Sequence, residues 1–163
     1  MNVFKRNSAK SLLMLVTAGA ALTLSSCRDD DKAPNIHGGN NFKITVTIPN
    51  VEATTNSALD DYVSITTAGS TANPQESGVW KLNGAVQAGQ LVVGLSEDDF
   101  AGATKTYVIE STKPLLSVSA GFQIINSNSP ITVSYKIEKN GDVVVNENFT
   151  LADGENRHKQ FNL

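Results

Sequence analysis

The chain has 163 residues, a length that suits one domain of ordinary size and is short for two. With 40% hydrophobic residues, 18% charged residues and 5 prolines, its composition excludes collagen-like repeats and extensive disorder. The formal charge of -3 argues against nucleic acid as a partner, because binding to phosphates depends on clustered Lys and Arg.

The first 26 residues have the order of a secretory signal peptide. Lys5, Arg6 and Lys10 precede an apolar stretch from Leu12 to Leu24. This stretch of about 13 residues is shorter than the roughly 20 that a membrane-spanning helix needs. We therefore expect residues 1–26 to be removed and not to remain in the membrane.

The sequence Leu24-Ser25-Ser26-Cys27 resembles the lipobox of bacterial lipoproteins. The resemblance implies that Cys27 is lipidated and becomes the first residue of the mature chain. Two or more acyl chains give stable anchoring to a membrane. The alternative, an ordinary signal peptide, would leave a free thiol on a secreted protein. Because Cys27 is the one cysteine in the sequence, an intrachain disulfide and a Cys-cluster metal site are excluded.

An acidic run follows this cysteine almost directly. Asp29, Asp30 and Asp31 come after Arg28, and the run resembles the export signal that sends Bacteroidetes lipoproteins to the outer surface of the outer membrane. The alternative is a lipoprotein that faces the periplasm, in which the charges only keep the domain away from the lipid headgroups. Both interpretations predict a domain tethered to the outer membrane through a lipid anchor.

The segment from 27 to 41 is predicted to be a flexible acidic linker. It is polar, contains Pro34 and the pair Gly38-Gly39, and has no apolar periodicity. Three of the 13 basic residues and none of the 16 acidic residues precede Cys27. The mature chain would therefore have ten basic and 16 acidic residues, and a formal charge of -6. This charge favours solubility and carries no information about the fold.

From Phe42 onward, apolar residues alternate with polar residues, which is typical of half-buried β-strands. The pattern is clearest in 42–48 and 131–138, and Asn140-Gly141 predicts a hairpin turn into a strand over 143–151. Glu147 would face inward in strict register, so we expect a bulge near Asn146. Further strands are expected at 62–67, 79–82, 85–87, 91–95, 104–110, 116–125 and 159–163, with Asn83-Gly84 as a second hairpin turn.

Seven to nine short strands over 42–163 predict an all-β domain, a two-sheet antiparallel sandwich of immunoglobulin-like architecture. A closed barrel is the alternative. The order of strands and hairpins near the C-terminus resembles small exported sandwich domains of Bacteroidetes lipoproteins of unassigned role. That resemblance brings no active-site motif with it.

The sequence offers few groups for catalysis, and we predict that the protein is not an enzyme and has no cofactor. The two histidines, His37 and His158, lie in polar segments without a nucleophile elbow or a zinc-binding spacing. Carboxylates are more numerous, and Ca²⁺ takes oxygen ligands from loops. Glu97, Asp98 and Asp99 are the main calcium candidates, with Asp60-Asp61 and Asp153-Gly154-Glu155 as further acidic pairs.

Aromatic side chains are the remaining candidates for ligand binding, because sugar-binding sandwiches stack sugar rings on exposed Trp and Tyr. We expect Trp80 to be buried, since it shares a strand face with Leu82. Tyr62 and Phe100 are expected at the surface. A platform of Trp80, Tyr62 and Phe100 would support a glycan-binding accessory module. The main prediction is a non-catalytic, lipid-anchored envelope protein with a binding or structural role, whose partner is a glycan or a surface protein.

Overall fold

The computed structural model describes residues 38–49, 51 and 61–163, and in these residues the chain forms ten β-strands and one short helix. The elements are β1 Phe42–Ile48, β2 Tyr62–Ser70, β3 Trp80–Leu82, β4 Ala85–Val86, β5 Val92–Ser96, α1 Glu97–Phe100, β6 Lys105–Ser111, β7 Ser117–Ile125, β8 Ile131–Lys139, β9 Asp142–Leu151 and β10 Asn156–Asn162. The signal peptide, Cys27, the acidic run and His37 lie outside the described residues.

The strands form two open antiparallel sheets, which confirms the all-β sandwich; no closed barrel is formed by the described strands. The six-stranded sheet has the order β4-β3-β6-β1-β8-β9, and the four-stranded sheet has the order β10-β7-β2-β5. The ten strands exceed the predicted seven to nine by one, and they include the short β3–β4 hairpin that was expected at 79–82 and 85–87. The helix found in the described residues has only four residues, so it does not qualify as a membrane-spanning helix.

The core lies between the two sheets. In β1, Ile44, Val46 and Ile48 are fully buried while Lys43, Thr45 and Thr47 face outward. The same alternation buries Val118, Ala120, Phe122 and Ile124 of β7 in the opposite sheet. Burying an aliphatic or aromatic side chain contributes about 1.5–3 kcal/mol, so these inward rows are the main source of stability. They also fix which residues point outward and are free to bind a ligand.

Two tight turns confirm the predicted hairpins. Asn83 and Gly84 have φ of 48° and 83°, and Asn140 and Gly141 have φ of 54° and 93°. Two consecutive residues with positive φ are typical of the type I′ turn, which favours Asn-Gly because its twist matches that of the strands. These turns set the register of the β3–β4 and β8–β9 pairs.

The bulge in the β8–β9 pair lies earlier than predicted and has a different consequence. Ile137 pairs with Val145 and Glu138 pairs with Val143, so Val144 is the extra residue. The prediction of a bulge near Asn146 that would turn Glu147 outward is therefore wrong. Glu147 lies opposite the buried Tyr135, on the inner side of β9.

The last strand begins at Asn156, three residues before the predicted start. Its inward positions are Arg157, Lys159 and Phe161, which are half-buried, while the residues between them are exposed. Two of the three inward residues are charged, so apolar and polar residues do not alternate over the first part of this strand. The hydrophobic pattern therefore predicts only its end. Both corrections concern the same place, where β9 and β10 form one edge of each sheet.

Candidate binding surface

The predicted aromatic platform is not formed. Trp80 is fully buried at the start of β3, as expected, but Phe100 is fully buried as well, so its predicted exposure is wrong. Phe100 ends α1 and packs edge to face on Tyr107, with 5.1 Å between the ring centroids. Tyr62 is exposed, with 43% of its surface accessible. Of the three candidates, only Tyr62 is therefore placed to meet a ligand from solvent.

Burial of Trp80 depends on a glycine in the facing sheet. A Cβ atom on Gly69 would lie 2.8 Å from Cζ2 of Trp80 and 2.6 Å from Cδ1 of Leu115. These distances are shorter than van der Waals contact, so only glycine fits at this inward position of β2. The indole of Trp80 is thus part of the core, and it has no surface for stacking on a sugar.

The three acidic residues of α1 are used partly in local structure. Asp99 Oδ2 accepts a hydrogen bond from the backbone N–H of Ser96 at 2.8 Å, which caps the helix. Glu97 Oε2 accepts from the backbone N–H of Val63 at 3.4 Å. Asp61, which is buried and precedes Val63 by two residues, accepts a hydrogen bond from the backbone N–H of Ser127 at 2.9 Å. Among the described residues, no three His, Cys, Asp or Glu side chains gather as a metal site.

The outer side of the six-stranded sheet, here called the charged face, presents an alternating row of charges. Lys81, Glu110, Lys43 and Glu138 lie opposite one another on the adjacent strands β3, β6, β1 and β8. Lys43 Nζ lies 3.9 Å from Glu110 Oε1, and the four side chains line a shallow groove that ends at Asn140 and Gly141. The signs balance along the row, so the groove has no net charge to attract an ion.

The outer side of the four-stranded sheet has a different composition. We call it the uncharged face, because no outward-facing residue of its four described strands is Asp, Glu, Lys or Arg. The outward positions are Asn156, His158, Gln160 and Asn162 in β10; Ser117, Ser119, Gly121, Gln123 and Ile125 in β7; Tyr62, Ser64, Thr66, Ala68 and Ser70 in β2; and Val92, Gly94 and Ser96 in β5.

Strand pairing arranges these residues in rows. In one row, His158, Gln123, Ser64 and Ser96 are neighbours on the four strands. In the next row, Gln160, Gly121, Thr66 and Gly94 are neighbours. Both rows therefore carry amide and hydroxyl groups. The second row also has two glycines, of which Gly94 is exposed and Gly121 is buried.

Three side chains on the β7–β10 pair form a hydrogen-bonded chain. Gln160 Nε2 donates to Ser119 Oγ at 2.6 Å, and Ser119 Oγ donates to Asn162 Oδ1 at 3.2 Å. Gly121 makes this possible, because a Cβ there would lie 2.5 Å from the carbonyl oxygen of Lys159 and 3.2 Å from Gln160 Oε1. The amide of Gln160 thus lies across the glycine. The sequence patterns did not indicate these residues; their signal was the uncharged outward positions of two strands that pair.

Ion pairs close the edge of the sandwich next to this face. Glu147 of β9 accepts hydrogen bonds from Lys159 Nζ at 2.5 Å and from Arg157 Nη2 at 3.0 Å. The hydrogen bond from Lys159 is the main cause that lowers the pKa of Glu147, and the positive charges of Lys159 and Arg157 add to it. The Arg157 guanidinium also lies over the Phe149 ring, 4.3 Å from its centroid. These inward charges protect two edge strands from pairing with other chains.

Comparison with known proteins supports the fold. No protein-family model matches the chain, and no curated protein has a significantly similar sequence. Three solved structures are similar in fold: a DUF4425 family protein from Bacteroides ovatus, the calcium-bound form of a protein from Parabacteroides distasonis, and a DUF4425 domain of unknown function from Bacteroides vulgatus.

The similarity to these structures extends over most of both chains in each pair. The TM-scores are 0.51, 0.53 and 0.52, at 12%, 14% and 10% sequence identity respectively. The matches cover 77%, 82% and 77% of this chain, and 95%, 98% and 94% of the others. The sandwich is therefore similar to a fold known from Bacteroides and Parabacteroides proteins.

Proposed function

We propose that the chain is a non-catalytic, lipid-anchored protein of the cell envelope, whose β-sandwich acts at the surface of the outer membrane by binding or as a structural component. The observation that carries this proposal is the position of Cys27, at the end of an apolar leader and directly after Leu24, Ser25 and Ser26. A lipid on this residue would hold the sandwich at the membrane through at least two acyl chains.

The distance between Cys27 and β1 suits such a tether. Asn40 and Asn41 are hydrogen-bonded to Leu115 and Asn140 of the sandwich, so the tether would consist of residues 28–39 and span at most about 40–43 Å when extended. This length allows the sandwich to stand clear of the lipid headgroups. The occurrence of the same fold in Bacteroides and Parabacteroides proteins supports the comparison with Bacteroidetes lipoproteins, which carry an acidic run after the lipidated cysteine.

The proposal is tested by metabolic labelling with a palmitate analogue in a Bacteroides host. The natural chain is expected to incorporate the label and to sediment with outer membranes. Cys27→Ser is expected to do neither, because the only thiol that can be acylated is removed. Labelling that persists in Cys27→Ser, or an unlabelled natural chain, would contradict lipid anchoring.

Surface exposure is tested separately by adding protease to intact cells. The natural chain is expected to be digested. The triple variant Asp29→Asn, Asp30→Asn, Asp31→Asn is expected to be acylated normally but protected, because the acidic run is lost. If the natural chain is digested only after the outer membrane is broken, the lipoprotein faces the periplasm.

Calcium binding is a second candidate, favoured by the calcium-bound neighbour from Parabacteroides distasonis. In this chain the candidate ligands are Glu97, Asp98, Asp99 and Asp61, at the end of the sandwich where β2 starts and α1 begins. The described side chains alone do not complete a site, because Ca²⁺ takes six to eight oxygens. Three of these carboxylates already accept backbone hydrogen bonds, from Ser96, Val63 and Ser127. Calorimetric titration with Ca²⁺, with Asp98→Asn as the matched variant, tests this candidate.

A further inference from the structure

The uncharged face has a composition that is unusual for the outside of a soluble β-sandwich. The sequence contains 13 basic and 16 acidic residues, yet none of them occupies an outward position of β10, β7, β2 or β5 in the described structure. Outward positions are where Lys, Glu, Asp and Arg are normally found, because charged groups are costly to bury. A neutral partner that covers this face therefore removes water from fewer charged groups than one that covers the charged face.

The hydrogen-bonding groups on the face are already held in place. In the hydrogen bonds that link Gln160, Ser119 and Asn162, the Gln160 amide takes part through its NH₂ group and the Asn162 amide through its oxygen. Gln160 Oε1 is thereby left as an acceptor, and Asn162 Nδ2 as a donor, on the exposed side of two paired strands. Groups that are fixed before binding lose little conformational entropy when a ligand arrives.

The same face has one exposed aromatic ring. Tyr62 lies directly opposite Ile125 on β7, and their surfaces are 43% and 37% accessible. This pair shares its row with Asn156 and presents a flat ring face to a ligand. Gln160 and Asn162 lie further along β10, about 13 and 20 Å from the level of Asn156 at about 3.3 Å per residue. Amides that both donate and accept, on the same face as an aromatic ring, match an extended ligand that has many hydroxyl groups and apolar C–H faces.

We propose that the uncharged face binds a neutral polysaccharide, with Tyr62 against the face of one sugar ring and with Gln160 and Asn162 hydrogen-bonded to the hydroxyls of sugars further along the polymer. The absence of Lys, Arg, Asp and Glu on this face favours an uncharged ligand. No outward position of the face holds a Lys or Arg that could pair with a polyanion, and the chain as a whole is acidic. The inference deepens the proposed function, since it names the partner of the tethered domain. It does not depend on the lipid anchor.

Native affinity electrophoresis of the full chain in mild detergent tests the proposal. The gels contain soluble starch, mixed-linkage β-glucan or yeast mannan as neutral probes, and alginate as the charged probe. At least one neutral polymer is expected to retard the chain, and alginate is expected not to. Retardation by alginate alone, or by no polymer, would overturn the proposal; palmitate labelling of Cys27 would still decide the proposed function independently.

Variants of the face separate binding from folding. Gln160→Ala and Tyr62→Ala are each expected to weaken retardation about fivefold or more, the effect of one lost hydrogen bond or ring contact. Tyr62→Phe keeps the ring and is expected to retain most of the binding. Asn148→Ala on β9, an amide of the charged face opposite Ser134, is the matched control and is expected to have no effect.

Two further results would also count against the proposal. Equal retardation of Gln160→Ala, Tyr62→Ala and the natural chain would place the polysaccharide elsewhere on the molecule. Size-exclusion chromatography that shows a dimer broken by Tyr62→Ala would identify a second copy of the chain as the occupant of this face.

Discussion

The two outer faces of the sandwich follow the same alternation of buried and outward residues, but they present different chemistry. On the charged face, Lys81, Glu110, Lys43 and Glu138 alternate in sign across four strands. On the uncharged face, the corresponding rows contain amides, hydroxyls and glycines. The charged face is thus stabilised by cross-strand ion pairs, and its charged side chains remain hydrated. The uncharged face lacks such pairs, which suits the neutral partner proposed above.

The largest expected effect contrasts two glycines in one row of the uncharged face. Gly121→Val is expected to destabilise the fold by about 2–3 kcal/mol, because a Cβ there would lie 2.5 Å from the Lys159 carbonyl oxygen and would push β10 away from β7. Gly94→Val is expected to be neutral or to stabilise by about 0.5 kcal/mol, since its nearest neighbour is 3.9 Å away. Urea denaturation measures both, and equal effects would contradict this account of the face.

The second prediction concerns the edge between the two faces. Glu147→Gln is expected to cost about 1 kcal/mol at pH 7, because Lys159 and Arg157 lose their ionised partner. The pKa of Glu147 is lowered in the folded state, so its contribution is complete above the ordinary carboxyl pKa of 4.5 and is lost as pH falls through the lowered value. The gap between the natural chain and the variant should therefore shrink below about pH 4.

Paired denaturation curves at pH 7 and pH 3 measure this gap. Asp142→Asn, at the exposed start of the same strand, is a control for which no ion pair is found among the described residues, and it is expected to have little effect. A gap for Glu147→Gln that stays constant or widens in acid would show that the carboxylate is not stabilised by these two cations.

The extent to which these regions could be predicted differs for physical reasons. The sequence predicts β1, β8 and the two Asn-Gly turns correctly, because each depends on a local alternation or a local backbone preference. It misplaces the start of β10, where Arg157 and Lys159 occupy inward positions and are balanced by Glu147 from another sheet. That compensation is a tertiary effect, which no local pattern reveals.

The candidate site was less predictable than the fold. Phe100 is predicted at the surface because it follows Asp99 in an expected turn between strands. In the structure this segment is the single helical turn α1, which directs Phe100 into the core. The uncharged face was not anticipated, since Ser119, Gln160 and Thr66 become neighbours only through the pairing of strands distant in sequence. Absence of charge over a surface is visible only after the register is known.

A third prediction reverses one charge on the charged face. Lys43→Glu is expected to destabilise by about 1 kcal/mol, because it removes the pair with Glu110 and places like charges opposite both Glu110 and Glu138. Lys43→Gln, which only removes the charge, is expected to cost less than half as much. High salt should reduce the difference between the two variants; a difference that does not respond to salt would indicate a packing effect.

The smallest expected effect on stability is the one that tests the comparison most directly. Thr66→Lys places a cation at an exposed position between Gly121 and Gly94. With open space on the Gly94 side, the unfolding free energy is expected to change by less than about 0.5 kcal/mol. Retention on a neutral polysaccharide is nevertheless expected to be lost, because a sugar ring covering this row would have to desolvate an unpaired charge. A stable Thr66→Lys chain that still binds as the natural chain does would show that the absence of charge on this face has no part in recognition.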